Sequence, residues 1–312
     1  MALNDEPGGA PRPAGRVTTS IIIASQVPED EVRRCLDSLQ DQLALHVEVI
    51  VAYDASSLDP ARLQRDFPRT TLAAAPPGAS VPELRYRGLE RAAGDIVAMT
   101  EAGARFTPGW LLSLEELHAR GFDAVGGAID PAPDFGLLSW AAHLCEYGAY
   151  MSPLGDLEGG DFSGFHCSYE RALLDKCTES LRDRHWETVL HEEARRAGAR
   201  FYRCGTLRLL NARRHRAGPF LRQRFAYGRG YGRVRGLRTS TVAHGALLFA
   251  TAGLPALMMF RYMRWMRNKR LPIARSIASL PLLALFAGAW SLGEWLGYVD
   301  AIPAHLRRGR GR

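Results

Sequence analysis

VEVIVAYDAS, residues 47–56, is an aliphatic, β-branched run that stops at an acid, Asp54, and passes into turn formers. A strand buried on both faces of a parallel sheet reads this way, because neither face alternates with polar residues. SIIIAS, residues 20–25, repeats the pattern upstream. Between the two, EDEVRRCLDSLQDQ (29–42) sets Val32, Cys35, Leu36 and Leu39 at helical spacing behind Pro28. Downstream, a helix is expected around Asp59 to Phe67, a strand in TTLAAA (70–75), a helix with an arginine-rich face in PELRYRGLERAAG (82–94), and a strand in DIVAMT (95–100). This alternation predicts an α/β fold with a doubly wound, mostly parallel sheet. Ligands of such sheets bind outside the carboxyl ends of the strands, where Asp54 and Glu101 both fall.

Beyond residue 111 the alternation loosens. LLSLEELHARG (111–121) reads as an amphipathic helix, FDAVGGAID (122–130) as a strand, and residues 131–168 as an irregular Gly- and aromatic-rich stretch suited to lining a cleft. YERALLDKC (169–177) and HWETVLHEEARRAG (185–198) read as helices, and ARFYRCGTLRLL (199–210) as a strand. Trp110 is expected to anchor the core after its turn, and His166 to be a satisfied structural histidine.

The chain has 312 residues, long enough for one substantial domain and an appendage, with 40 basic against 33 acidic side chains. The net charge of +7 favours an anionic partner, and the excess sits after Arg213. Five cysteines without a CxxC pair exclude a zinc-finger spacing and suit reduced thiols of a cytosol-facing domain. MALNDEPGGAPRPAGR (1–16) lacks an apolar core and reads as a disordered tail, not a signal peptide. The YGRGYG pattern follows no strand and is no dinucleotide fingerprint.

In order and spacing, these segments resemble a family 2 glycosyltransferase of GT-A fold. TSIIIAS, RRCLDSLQDQ and VEVIVAYDAS correspond to that family's opening strand, first helix and second strand. LRYRGLERAAGDIVAMTEAG is similar to its RNxGxxxAxGDxxxxLDxD stretch, with Arg85, Gly88 and Gly94 in place and Tyr86 for the usual Asn. WETVLHEEARRAG is similar to EDxxLxxRLxxxG, with Trp186 at the first acid and Glu187 at the second. The resemblance implies a nucleotide-sugar donor held by Asp54, Arg85, Glu101 and Ser25, with Glu187 as catalytic base. It also implies Mg²⁺ or Mn²⁺ at the DxD acids, a site degenerate here: Glu101 takes the first position and Gly103 the second. Glu101 would then hold the metal alone, helped by the diphosphate and by Asn211 or His215. The alternative is that arginines replace it, with Arg105, Arg229 and Arg233 as candidate phosphate-binding groups and Arg222, Arg224 and Arg235 nearby.

VAHGALLFATAGLPALMMF (242–260) and SIASLPLLALFAGAWSLGEWLGYV (276–299) are apolar over membrane-spanning lengths and bounded by arginines. The expected organisation is a tail (1–16), a GT-A domain (17–216), a basic interfacial segment (217–241), a transmembrane or membrane-embedded hairpin (242–299) and a basic tail (300–312). The basic link RYMRWMRNKRLPIAR opposes the positive-inside bias if both helices span, which leaves two spans and a re-entrant hairpin as rival readings. A catalytic domain facing the cytoplasm at the inner, plasma membrane implies a lipid-linked or glycan acceptor, membrane lipids as partners, and no nucleic acid. The rival reading is a catalytically inactive, nucleotide-sugar-binding scaffold.

Overall fold

The computed structural model describes residues 18–177 and 187–310, which fall into two compact units. The expected tail at 1–16 lies outside the described residues, as does Trp186.

The first unit, residues 18–128 and 155–209 of the described chain, is built on a mixed sheet. β1 (Thr19–Ser25) lies between β2 (Val47–Asp54) and β4 (Ile96–Glu101), parallel to both, and β3 (Thr70–Ala75) extends the parallel half. Every residue of β1 is buried, as expected of a central strand covered on both faces. The other half continues through β8 (Cys167–Glu170), antiparallel to β4 and to β6 (Ala124–Pro131), then β9 (Phe201–Asn211) and β5 (Ala104–Phe106). A two-residue β7 (Leu157–Glu158) pairs with β9.

The helices start where their sequences say they should. α1 (Glu29–Asp37) opens with three acids, which face the positive end of its dipole, and buries Val32, Cys35 and Leu36. α2 (Pro60–Asp66) is capped by Asp59, whose carboxylate accepts from the Ala61 and Arg62 amides. α3 (Val81–Leu89) has a reciprocal capping box between Ser80 and Glu83. Gly88 lets α3 settle on β1, since a Cβ there would stand 2.3 Å from Ile22 Cγ2. α4 (Trp110–Ala119), α6 (Arg171–Lys176) and α7 (Glu187–Arg196) complete this unit.

The strand at 167–170 falls where the sequence reads as loop and helix. Four buried residues between two antiparallel neighbours are too few to show a period of their own.

The second unit takes residues 129–154 and 210–310 of the described chain. Its α5 (Leu137–Tyr147) lies inside the stretch expected to be irregular. LLSWAAHLCEY is buried almost all round, so no polar face marks its helical period. The basic segment also becomes helical, as α8 (Ala217–Arg238), despite five glycines. α9 (Thr241–Ala250) and α10 (Leu254–Asn268) follow, joined by a short 3₁₀ turn, and α11 (Ile273–Arg310) closes the chain. By length and composition, Thr241–Asn268 (mean hydropathy 1.6) and Ile273–Pro303 (1.5) are apolar enough to cross a bilayer.

α8 and α11 run side by side in the same direction, with their backbones in contact. A Cβ on Gly228 would stand 2.3 Å from the Trp290 carbonyl oxygen, and one on Gly232 2.2 Å from that of Glu294. Reciprocally, a Cβ on Gly293 would stand 2.1 Å from the Phe225 carbonyl oxygen, and one on Gly297 2.2 Å from that of Arg229. Small residues at every fourth position on both helices make this approach possible. Polar groups lock it: Arg229 forks onto Asp300 at 2.7 and 3.1 Å, and buried Glu294 accepts from Trp290 Nε1 and the Tyr298 hydroxyl. At the other end, Phe220 meets Phe286 edge to face within a cluster containing Trp140, Leu144, Tyr262 and Met266.

Gly232→Val should destabilise the protein by about 1–3 kcal/mol, since the helices must part to admit it. Gly230→Ala, on the open side of the same helix with nothing within 4 Å, should stabilise it by about 0.5–1 kcal/mol. Unfolding midpoints of the two variants in detergent check the contrast.

Candidate active site

Register brings three predicted residues to one edge of the sheet. Ser25 ends β1 opposite Tyr53 of β2, one residue before Asp54, and Ala24 pairs with Glu101 of β4. Ser25, Asp54 and Glu101 therefore finish three adjacent parallel strands.

Asp54 is held before any ligand arrives. Its Oδ1 accepts from the Ser56 amide (2.8 Å) and hydroxyl (2.5 Å), and its Oδ2 from the Gly78 amide (2.6 Å). The Ser56 hydroxyl, the Ser56 amide and the Gly78 amide together draw its pKa below the ordinary carboxylate value. The side chain is thus a fixed, ionised acceptor, suited to donors on a nucleobase or ribose. Ser25 is fully buried and directs its hydroxyl to the Val27 carbonyl at 3.4 Å, shaping the loop that leaves β1.

Glu101 stands against a guanidinium. Arg85 of α3 is 8% exposed; its Nη2 lies 3.5 Å from Glu101 Oε1 and donates to the Gly164 carbonyl at 2.8 Å. The segment around Gly164 is also tied to β4 by Thr100, whose hydroxyl donates to the Phe165 carbonyl at 2.8 Å. Arg85 therefore joins a helix, a strand end and a loop. Arg105 is engaged too: its Nη2 meets Glu31 of α1 at 2.8 Å.

His166 is fully buried and satisfied, and Trp110 is a core residue, as expected. The indole N–H can only donate, so His166 Nε2 accepts from Trp110 Nε1 (2.8 Å) and Nδ1–H donates to the Ala128 carbonyl (3.0 Å). Burial lowers its pKa to about 4.

Glu187 is the first residue of α7, and its side chain lies outside the described part of the structure. The helix is seated by an arrangement its sequence does not announce. His191 Nδ1–H donates to Asp161 at 2.8 Å, its Nε2 meets the Tyr169 hydroxyl at 2.7 Å, and Arg195 reaches the same Asp161 oxygen at 3.2 Å. Burial works against the Asp161 charge, but the bonds from His191 and Arg195 prevail and its pKa is lowered.

Arg229 and Arg233 belong to α8 of the second unit, where both are exposed and Arg229 pairs with Asp300. Asn211 and His215 are in that unit as well. Asn211 is buried with its amide 3.1 Å from His143 Nδ1, and burial lowers the His215 pKa to about 3.

The glycosyl transferase family 2 model matches residues 20–178, slightly more than half of the chain. The chain belongs to that family. Ser25, Asp54, Arg85 and Glu101 all fall within the matched residues, and the mixed sheet followed by two apolar C-terminal stretches is a GT-A fold with an appendage. No curated protein matches the chain. Among solved structures, a mannosyltransferase from Pyrobaculum calidifontis, in complex with GDP-Man and Mn²⁺, is 18% identical over 95% of this chain and 89% of its own, with a TM-score of 0.48. A glucosyl-3-phosphoglycerate synthase from Mycobacterium tuberculosis, with Mn²⁺, UDP and phosphoglyceric acid, is 19% identical over 52% of this chain and 58% of its own, with a TM-score of 0.36. A mycobacterial protein is 18% identical over 65% and 69%, with a TM-score of 0.41.

The residues present do not fit a protein-built metal cage. Among the described residues no three His, Cys, Asp or Glu side chains gather as ligands, and the one acid at the DxD position already faces Arg85. A hard divalent cation needs oxygen ligands, and among the described side chains the DxD position offers one carboxylate, beside a positive charge.

His166 and His143 both have pKa values of about 4, against about 6.5 when unfolded. The unfolded chain binds protons first, so their contribution to stability is complete above about pH 6.5 and is lost as pH falls through 4. The thermal midpoint should fall across that window, and a flat profile from pH 6.5 to 4.5 would contradict the assignment. His166→Ala, which strands the Trp110 N–H, should cost a further 1–3 kcal/mol or so at neutral pH.

Proposed function

We propose that this family 2 glycosyltransferase is membrane-associated and transfers a sugar, with inversion, from a nucleotide-sugar donor to a hydroxyl of a lipid-linked or glycan acceptor. The carrying observation is the row of Ser25, Asp54 and Glu101 at the ends of three adjacent strands, with Arg85 behind Glu101. Asp54 receives donor N–H or O–H groups of the nucleoside. Arg85 fixes Glu101 and supplies positive charge next to the position where the departing diphosphate gains negative charge.

In the reaction, the acceptor oxygen bonds to the anomeric carbon on the face opposite the leaving group. The bond from that carbon to the diphosphate oxygen breaks, and the nucleoside diphosphate leaves with the electron pair. The acceptor proton passes to the Glu187 carboxylate, a general-base contribution of roughly 10²–10⁴-fold. When bound, Mg²⁺ or Mn²⁺ would neutralise diphosphate charge. With one acid paired to Arg85, dependence on such a cation is expected to be weak. Apolar helices at 241–303 and the arginines before them support membrane association, which brings the active site to lipid-linked acceptors.

A second reading, a binding protein without turnover, is favoured by Gly103 and Trp186 at two positions where the family has acids. Transfer from a panel of nucleotide sugars by detergent-solubilised protein separates the two. Activity retained within about threefold in EDTA is expected; complete loss restored by Mn²⁺ would refute weak dependence. Glu187→Gln should lower kcat by roughly 10²–10⁴-fold, and Asp54→Ala should chiefly raise KM for the donor. Donor-induced thermal stabilisation without transfer or hydrolysis would favour the binding-protein reading.

A further inference from the structure

Resting on the membrane part of that reading, the second unit also restricts how its helices meet a bilayer. α11 cannot be considered apart from α8. They touch from Phe220 against Phe286 to Gly236 against Ala301, about 23 Å of shared path. Along it α8 exposes Arg222, Arg229, Arg233 and Arg235, with Arg238 one step beyond. If α11 stood across the bilayer, these guanidiniums would stand in hydrocarbon with it. Arg229, paired with Asp300, and Arg235, 3.9 Å from Glu294 and 3.4 Å from the Tyr298 hydroxyl, could be tolerated there, but exposed Arg222 and Arg233 beside them are strongly disfavoured.

The link between the apolar helices gives an independent restriction. Lys269 donates to the carbonyls of Met151 and Pro153, Arg275 donates to the Phe135 carbonyl and lies 4.3 Å over the Trp140 ring, and Tyr262 meets Cys145 at 3.2 Å. All these partners belong to residues 129–154, an excursion that begins and ends in the chain of the catalytic unit. Its only helix has 11 residues, about 16 Å, too short to cross and return. The link therefore lies on the catalytic side of any membrane, where two full spans would put it on the far side.

Yet the hairpin does not hide its apolar surface. Val242 and Phe249 are 86% and 85% exposed, and Leu257, Phe260, Ile277, Leu285 and Leu292 are more than half exposed. A soluble surface rarely leaves so much bare. Acyl chains against these residues, with anionic phosphates against the α8 arginines, satisfy both at once.

We propose that residues 241–303 do not span: they lie along a single leaflet as an in-plane hairpin, with α8 as its phosphate-binding edge and both of its ends on the catalytic side. The positive-inside conflict then disappears, because the basic link never crosses.

The test uses the full-length protein in sealed phosphatidylglycerol vesicles, with a membrane-impermeant maleimide applied before and after detergent. All five native cysteines are buried, so the parent chain is the blank. Leu45→Cys, 90% exposed in the first unit, marks the catalytic side; Asn268→Cys reports the link and Thr241→Cys the opposite end of the hairpin. Equal labelling of all three before detergent is expected. Asn268→Cys labelled only after detergent, where Leu45→Cys labels before it, would establish two spans and overturn the proposal. The same result at Thr241→Cys would show that α8 crosses, overturning it differently. Flotation should fall at least tenfold in pure phosphatidylcholine vesicles, and equal flotation in both lipids would refute the arginine contacts. Failure to float with either lipid would remove the membrane reading as well, whereas the sugar-transfer reading stands or falls on the detergent assay.

Discussion

A guanidinium taken out of water must find partners that offset its charge, and Arg85 finds them in two separate parts of the chain. It arises from α3, faces the carboxylate that ends β4, and donates to a carbonyl of the loop before β8. A buried charge is costly when alone, so each partner holds the others in place. The parallel half of the sheet supplies the acid and the antiparallel half supplies the carbonyl. The candidate site thus depends on a join between two differently built halves, with Asp54 held separately by Ser56 and Gly78.

In the proposed transfer, Arg85 is fixed charge aimed before the diphosphate departs, which is the condition under which electrostatic stabilisation of a leaving group is largest.

The C-terminal helices follow a different rule. α8 and α11 approach through backbone contact at alternating glycines, with side-chain locks at Asp300 and Glu294. Because the contact is between backbones, the two helices behave as one object. An arginine-rich helix and an apolar helix bound in this way must share an environment, and the boundary between lipid and water is where both can be accommodated.

Much of this was legible in the sequence. Parallel strands buried on both faces appear as continuous apolar runs, their ends as acids, and a helix start as Asp59, since these features are local. The sequence by itself determined that Ser25, Asp54 and Glu101 stand at the ends of strands of one α/β domain, whereas the pairing of β1 with both β2 and β4, which makes those ends neighbours, was decided by the sheet. It did not reveal α5, which is buried all round, or the strand at 167–170, which is too short to show a period. Nor could it show that a segment with five glycines is a helix, because glycine opposes helix formation until a second backbone lies against it. Tertiary structure alone decided the partners of Arg85, 79 residues away at Gly164, and of Arg229, 71 residues away at Asp300. Such charges are read as free until folding brings up the groups that neutralise them, and no local pattern encodes which groups those will be.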